Sequence, residues 1–418
     1  MLTTMSTVAI ELNSSYYTTA IGNSALDGFS VVEPENATST LYMLPAYIRT
    51  TSMVACIIVM ILGIVGNLMV PLVVLRGKDM RNSTNIFLVN LSVADLCVLV
   101  ICTPTVLIEV NSGPQIWPLG ESMCKAVPFV ELTVAHASVL TILAISFERY
   151  YAICEPLRAG YVCTKARATI LCFLAWVAAA LCTSPMIWVS QYREMRMAHH
   201  GVAMAHHAVV ANGSDRSVAT AVEEENGEMM MVPQVNQVPV CLTQADTVAS
   251  VTFFLLLVLL FFAAPFAILV VLYSFIVSHL VRDSSASSTS TSSNNTSDTY
   301  HSRAKRQVVF MLLTVVVSFF VCLSPYRLLI FYIVVTPAER IAAVDSDTFF
   351  GLLNFSRIML YLNSAGNPIL YNLMSSKFRR GFLKLCGLEK GRSMVASARR
   401  LATTHQLQEN LNQEEDLL

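Results

Sequence analysis

Asp95 stands in the run Asn90-Leu-Ser-Val-Ala-Asp95-Leu, inside a long apolar block. A carboxylate in such surroundings is costly unless a partner or an ion meets it. Asn67, Asn363, Ser364 and Asn367 come from two other apolar blocks and can converge on it, with Asn90 flanking it on one face. Amides, hydroxyls and one carboxylate at mid-depth make either a hydrogen-bonded polar core or a site for a small cation such as sodium. Residue chemistry weighs the two evenly. A second set, Glu148-Arg149-Tyr150, places an acid beside a base at the end of another block. Such a pair neutralises itself locally and separates when neighbouring helices move, whereas a lone Arg would read as a snorkelling interfacial side chain. Arg149 follows Cys124 by 25 residues, which at ~1.5 Å per residue is just over one membrane thickness. Glu131, Arg327 and Arg357 are three further charges inside apolar blocks. There is no metal-ligand pair, nucleophile triad or phosphate loop at plausible depth, so an enzyme is not expected, and no organic cofactor is implied beyond the candidate sodium ion.

These residues need a scaffold, and composition points to a membrane. Of 418 residues, 55% are apolar and 13% charged, about half the charge of a soluble domain. Net charge is −1, which gives no sign of a nucleic-acid partner. Seven apolar blocks lie at about 47–75, 84–108, 121–153, 165–189, 247–279, 304–335 and 348–372. Each exceeds the ~20 residues a helix needs to cross the hydrocarbon. None alternates as a barrel strand would. The fold class read from this is all-α, a seven-transmembrane helix bundle. Pro104, Pro185, Pro265, Pro325 and Pro368 fall within these helices, where each removes a backbone bond and introduces a kink. Asn367-Pro368-Ile-Leu-Tyr371 joins a kink to polar side chains and reads as a hinge. A transporter should show inverted repeats with paired broken helices; neither is evident.

Lys and Arg near the block ends set the orientation. Arg76, Lys78, Arg81, Arg158, Lys165, Arg306, Lys377 and Arg380 fall on one side, and Glu223, Glu224, Asp345 and Asp347 on the other. The N-terminal tail, 1–46, is therefore expected outside and disordered, with sequons at Asn13 and Asn36. The bundle takes 47–386, and 387–418 is expected to be a disordered cytoplasmic tail. The outer loop 190–246 carries a sequon at Asn212 and the cluster His199, His200, His206 and His207, which reads as a disordered insertion ahead of a metal site. The inner loop 281–302 is nearly all Ser, Thr and Asn, without apolar content to fold, and suits phosphorylation. Eleven cysteines are mostly inside apolar blocks. Cys124 and Cys241 both fall at the outer ends of helices, in an oxidising compartment, and are expected to bridge. After the seventh block, residues 375–386 put Phe378, Phe382 and Leu385 on one helical face and cations on the other. That is a surface helix, with Cys386 placed for palmitoylation.

Taken together, nine features in order resemble the rhodopsin-like receptors: Gly66-Asn67, Leu91-Ser-Val-Ala-Asp95-Leu, Trp117-Pro-Leu-Gly, Cys124, Glu148-Arg149-Tyr150, Trp176, Pro265 with Tyr273, Phe319-x-x-Cys322-x-x-Pro325 and Asn367-Pro-Ile-Leu-Tyr371. The resemblance covers about 47–386. It implies a multi-pass plasma-membrane receptor that captures a ligand outside and couples to heterotrimeric G proteins inside, with receptor kinases, arrestin and membrane lipid as further partners. It also implies that Arg149, Tyr273 and Tyr371 rearrange on activation, and that Asp95, Ser138, Asn363, Ser364 and Asn367 form a sodium pocket. Within the family the sequence looks like the thyrotropin-releasing-hormone and ghrelin receptor group, and like receptors of the insect CNMamide kind.

Two departures carry weight. Most members have Trp two residues before Pro325, where this chain has Leu323, so Phe319 is expected to carry more of the transmission. The acid that commonly faces Arg149 from the sixth helix falls near Lys305, so Glu148 must hold Arg149 locally. Arg327 and Arg357 are similar in position to paired arginines of the thyrotropin-releasing-hormone receptor pocket. Two guanidinium forks suit a carbonyl, a carboxylate or a terminal amide. Glu131 with Arg327 or Arg357 is expected to form a resting network that a ligand enters, the alternative being that these charges only stabilise the bundle. His136, Tyr326, Phe331 and Tyr361 supply the walls. The expected ligand is a (neuro)peptide. A biogenic amine is the runner-up, because Glu131 stands where amine receptors carry an acid, but two arginines would repel an ammonium.

Overall fold

The computed structural model describes residues 39–40, 44–77, 80–113, 116–198, 235–243, 245, 247–289, 296–337, 340–341 and 343–387. Among the described residues, seven long helices form a bundle. They are α1 (Ala46–Arg76), α2 (Ser83–Ser112), α3 (Gly120–Cys154), α4 (Lys165–Val189), α5 (Val248–Val258 continued by Ala264–Thr289), α6 (Thr296–Val335) and α7 (Ser346–Met374). A short α8, Ser376–Leu385, follows, and a two-turn helix, Pro156–Val162, joins α3 to α4. The first six long helices are each long and apolar enough to cross a membrane. With 29 residues, α7 is also long enough, at ~1.5 Å per residue. It is less apolar because Asn354, Arg357, Asn363, Ser364 and Asn367 are buried along one stripe.

The bundle shows why both faces of these helices are apolar. On α1, Ile48, Ser52, Cys56, Val59, Gly63, Asn67 and Val70 recur every three or four residues and are buried. Ile58, Ile61, Leu62 and Val65 on the other face are exposed. A soluble helix would place charge there; these side chains suit hydrocarbon. The most apolar stretch of α3 is 67% buried, against 28% for α4 and for α5. Residues that must meet the other helices therefore concentrate on α3. Gly66 allows α1 to approach α7, since a Cβ there would lie 2.9 Å from the Pro368 Cβ.

Proline shapes the helices in three ways. Pro104 and Pro265 each follow a π turn, Val98–Cys102 and Leu259–Ala263. Each turn takes in the extra residue that a missing donor and a crowded ring demand. Pro185 divides α4 into Lys165–Thr183 and Met186–Val189. Pro71, Pro128, Pro325 and Pro368 stay inside helices.

Three expectations are corrected. The loop 190–246 is not a plain insertion: β2 (Ser190–Ala198) and β3 (Val235–Thr243) pair antiparallel from Ser190↔Thr243 to Ala198↔Val235. The tail segment β1 (Ser39–Thr40) pairs parallel with β2, in the order β1-β2-β3, so not all of 1–46 is irregular. In the stretch 281–302, α5 runs on to Thr289 and α6 begins at Thr296. Asn13, Asn36, Asn212, the loop histidines and the segment 388–418 lie outside the described residues. Cys124 at the start of α3 is disulfide-bonded to Cys241 of β3, and Trp117 is buried with both. The Trp117 backbone N–H donates to the Pro239 carbonyl at 2.8 Å. The hairpin is thus fixed to one end of the bundle.

Candidate functional site

Glu148 and Arg149 close α3 at the end away from the hairpin. Arg149 Nη2 lies 3.0 Å from Glu148 Oε1. Ser83 and Thr84, the first two residues of α2, donate hydroxyl bonds to the same carboxylate oxygen, and Arg149 also reaches the Thr84 hydroxyl. The carboxylate therefore sits against a helix N-terminus, where unpaired amides favour negative charge. Glu148 is buried and the Arg149 side chain is 19% exposed. Local holding of Arg149 is what the structure has. The side chain of Lys305 lies outside the described residues. Ser146 places its hydroxyl 3.4 Å from the Tyr273 hydroxyl of α5. Tyr371 is buried with its hydroxyl unpartnered, its ring 5.9 Å from Phe378 of α8. One tie between α6 and α7 was not foreseen: Gln307 Nε2 donates to the Met374 carbonyl at 2.8 Å.

At mid-depth, Asn367 Nδ2 donates to Asp95 Oδ2 at 2.9 Å. Asn67 Nδ2 donates to the carbonyls of Gly63 (3.0 Å) and Ser364 (2.9 Å), which ties α1 to α7. Ser138, Asn363 and Ser364 are buried too, and the side-chain oxygens of Asn67 and Asn363 have no partner. A carboxylate with amide and hydroxyl oxygens is the donor set a hard cation prefers, so these residues fit sodium. Asn90 does not join them. It accepts from the Trp176 indole and donates to the Thr141 hydroxyl, both at 2.9 Å, binding α2 to α3 and α4.

Below the hairpin, the structure brings together Glu131, Tyr326, Arg327, Arg357 and Tyr361, all buried. It adds Glu109 near the end of α2. Arg357 Nη2 lies 3.1 Å from both carboxylate oxygens of Glu109, with the two side chains 2% and 4% exposed. The expected network joined Glu131 to Arg327 or Arg357; both arginines are its electrostatic neighbours, but the hydrogen-bonded ion pair of Arg357 is with Glu109. Glu131 Oε1 has no hydrogen-bond partner, and its electrostatic neighbours are Arg357, Glu109 and Arg327. Arg327 interacts with Tyr326 and Glu131. The cluster thus holds a closed pair between α2 and α7, and an open pair between α3 and α6. The Tyr361 hydroxyl is unpartnered as well. His136 stacks on Phe261 at 4.0 Å, with Nδ1 3.2 Å from the Thr183 hydroxyl. That hydroxyl donates to the Ala179 carbonyl. It can then only accept from His136, which puts the imidazole proton on Nδ1 and leaves Nε2 a bare acceptor. Phe331 is not a wall, because it is exposed on the outside of the bundle.

The description "7 transmembrane receptor (rhodopsin family)" matches residues 66–207 and 217–371. The chain belongs to the rhodopsin family of seven-transmembrane receptors. It is 36% identical over 147 residues to the QRFP-like peptide receptor of Branchiostoma floridae, a stretch covering 35% of this chain and 38% of that protein. It is 32% identical over 365 residues to growth hormone secretagogue receptor type 1 of Oryctolagus cuniculus, covering 84% and 85%. It is 29% identical over 337 residues to the human thyrotropin-releasing hormone receptor, covering 79% and 76%. The first match spans well under two thirds of its relative, the other two most of theirs. The resemblance to the thyrotropin-releasing-hormone and ghrelin receptor group is borne out, and the protein is a multi-pass plasma-membrane receptor, not an enzyme.

The aromatic contacts of this receptor refine what Leu323 implied. Leu323 and Phe319 are buried. Among the described residues Phe319 meets the ring of Phe320 at 5.5 Å, and Phe320 reaches α5 through Phe262 and Phe266 at 5.6 and 5.1 Å. The link from α6 to α5 thus runs through Phe320, which sequence reasoning missed because its neighbour filled the motif position. Pro325 lies one and a half turns further along α6. On α8, Ser375 caps the helix and Phe378 is buried, while Lys377, Arg379, Arg380 and Lys384 are exposed. Cys386 is a free, exposed cysteine at its end.

Proposed function

We propose that this receptor binds an extracellular peptide below the hairpin and passes the signal to heterotrimeric G proteins at the end that carries Arg149. The carrying observation is the open pair. Glu131 and Arg327 are buried in the bundle without a hydrogen bond between them, beside the bare Tyr361 hydroxyl and within reach of His136 and Arg357. The unpartnered Glu131 oxygen is costly where it lies, and the Arg327 charge near it is buried as well. A peptide backbone, with carbonyls for Arg327 and N–H groups for Glu131, relieves both. Relatives described as peptide or hormone receptors support the same reading. In this reading the N-terminus and hairpin are outside and α8 lies along the inner membrane surface. Tyr150, Tyr273, Phe319, Pro325, Asn367, Pro368 and Tyr371 move with Arg149 on activation. The Ser/Thr-rich segment recruits receptor kinases and arrestin, Cys386 carries palmitate, and Asn13, Asn36 and Asn212 carry glycans.

The unpaired Glu131 oxygen also suits a cationic amine, the runner-up. Arg327 and Arg357 in the same cluster oppose it, since an added ammonium would meet two like charges.

GTP exchange in membranes holding the full chain, screened against a library of short peptides, tests the proposal. Arg327→Ala and Glu131→Gln should raise the peptide concentration needed by about 10- to 100-fold, the worth of a charged hydrogen bond or two. Unchanged concentrations in both variants would sink the pocket; solute flux without exchange would sink coupling altogether. For sodium, replacing it by choline should change basal exchange in the wild type and leave Asp95→Asn unaffected.

A further inference from the structure

The last carbonyls of a helix have no donor within it, and at the C-terminus of α7 one of them is met from another helix. Gln307 of α6, at the end that carries Arg149, donates through Nε2 to the Met374 carbonyl at 2.8 Å. Met374 is the last residue of α7, so its oxygen lies at the negative end of the helix dipole, which favours a donor there. The Arg149 guanidinium takes no part in this tie: among the described residues its bonds go to Glu148 and Thr84.

The two sides of the bond differ in freedom. The acceptor stands on a fixed post. Ser375 caps α8 by accepting from the Phe378 N–H, and the buried Phe378 ring lies 5.9 Å from that of Tyr371. Gly381 of α8 lies so close to α1 that an added Cβ would stand 2.5 Å from Val73 Cγ1. The donor sits at the end of a lever. Gln307 precedes Pro325 by 18 residues, which is ~27 Å of helix at ~1.5 Å per residue. Pro325 lies inside α6 and removes a backbone bond there. A swing of about 5° at the proline moves Gln307 by about 2 Å, enough to take its amide out of hydrogen-bond range. We propose that Gln307 is a positioning residue for coupling. Its amide latches this end of α6 to the junction of α7 and α8, and that one bond sets how often the end opens without ligand. The role rests on the coupling reading above and adds to it the contact that holds the closed state.

Two measurements on the full chain in nanodiscs test this. The first is GTP exchange on added heterotrimeric G protein, without peptide. Gln307→Glu keeps the shape and puts an acceptor where the donor was, and Gln307→Leu removes the amide altogether. Each should raise exchange about two- to tenfold, the worth of one net hydrogen bond. Gln307→Lys supplies a donor again and should return exchange to near the wild-type rate. A loss of packing would not sort the three variants by donor, and at this exposed position all three should unfold at close to the wild-type midpoint. The second measurement needs no G protein. Spin labels on ketone-bearing unnatural residues at 306 and 377, both exposed, report the separation of α6 from α8. Gln307→Glu should add a longer-distance population that Gln307→Lys lacks. Unchanged distances in Gln307→Glu, wild-type exchange in both Gln307→Glu and Gln307→Leu, or a Gln307→Lys chain that opens as far as Gln307→Glu would each overturn the latch. No exchange in any chain, wild type with peptide included, would overturn the coupling reading instead, while the distance shift would still support the latch.

Discussion

The two ends of the bundle handle charge in opposite ways. Away from the hairpin, Glu148 and Arg149 are neighbours in the chain, and hydroxyls of α2 join Arg149 on one carboxylate oxygen. Glu148 Oε2 and Arg149 Nε have no partner there, and the arrangement opens by small movements at a partly exposed position. Below the hairpin, Glu109 and Arg357 meet across 248 residues in full burial, while Glu131 and Arg327 are left apart. A closed pair beside an open one makes a site rigid on one side and receptive on the other. The comparison teaches that burial, not charge alone, separates a latch from a binding site.

Glu109→Gln gives the largest expected effect. It leaves Arg357 buried and uncompensated, a loss of about 3–5 kcal/mol where one partner of a buried pair is removed. Thermal unfolding in detergent should show it as a markedly lower midpoint. Replacing both residues together, Glu109→Leu with Arg357→Met, should recover most of the loss. If the single variant is as stable as the wild type, the closed pair is not a structural brace.

Gly66→Ala comes next. Its Cβ would press on Pro368, and overpacking costs about 1–3 kcal/mol. Because the strain falls at the proline of the proposed hinge in α7, stability and the maximal peptide response should fall together. A fully stable, fully responsive variant would place the close approach elsewhere.

Glu148→Gln weakens the other end by removing the charge that holds Arg149. A charged hydrogen bond is worth about 1.5–3 kcal/mol net, and screening at a partly exposed arginine lowers that. Basal GTP exchange should rise severalfold with little change in unfolding midpoint. A drop in stability without a rise in exchange would make the pair a brace like Glu109–Arg357, and the contrast between the ends would fail.

Legibility in the sequence follows the same division. The Glu148–Arg149 pair could be read because adjacency on a helix end needs no tertiary knowledge. The seven spans could be read from length and hydropathy, and the Cys124–Cys241 bridge from the shortage of competitors. Glu109 could not. It lay just past the expected end of the second block, at 108, and the π turn Val98–Cys102 rotates everything beyond it. A straight 3.6-residue count from Asp95 therefore aims it wrongly. The hairpin escaped because its strands border a polar, low-complexity stretch, where pairing across the loop is invisible to local pattern. Asn90 misled for a simpler reason: five residues from Asp95 on a helix is well round the other side, which is where Thr141 and Trp176 meet it.

Phe331→Ala is expected to do least, and it is the sharpest control on where the pocket ends. Phe331 and Tyr326 are both aromatic residues near the hairpin end of α6, and sequence alone offered both as pocket walls. Phe331 is 46% exposed on the bundle's outer face and Tyr326 is 3% exposed beside Arg327. Truncating an outward-facing side chain costs within about 0.5 kcal/mol, so the peptide concentration for half-response should stay within about twofold. Tyr326→Ala removes a buried ring from the charged cluster and should raise that concentration by about tenfold or more. Equal effects in the two variants would mean that the ligand lies against the lipid-facing side of α6, and the open pair would then lose its role.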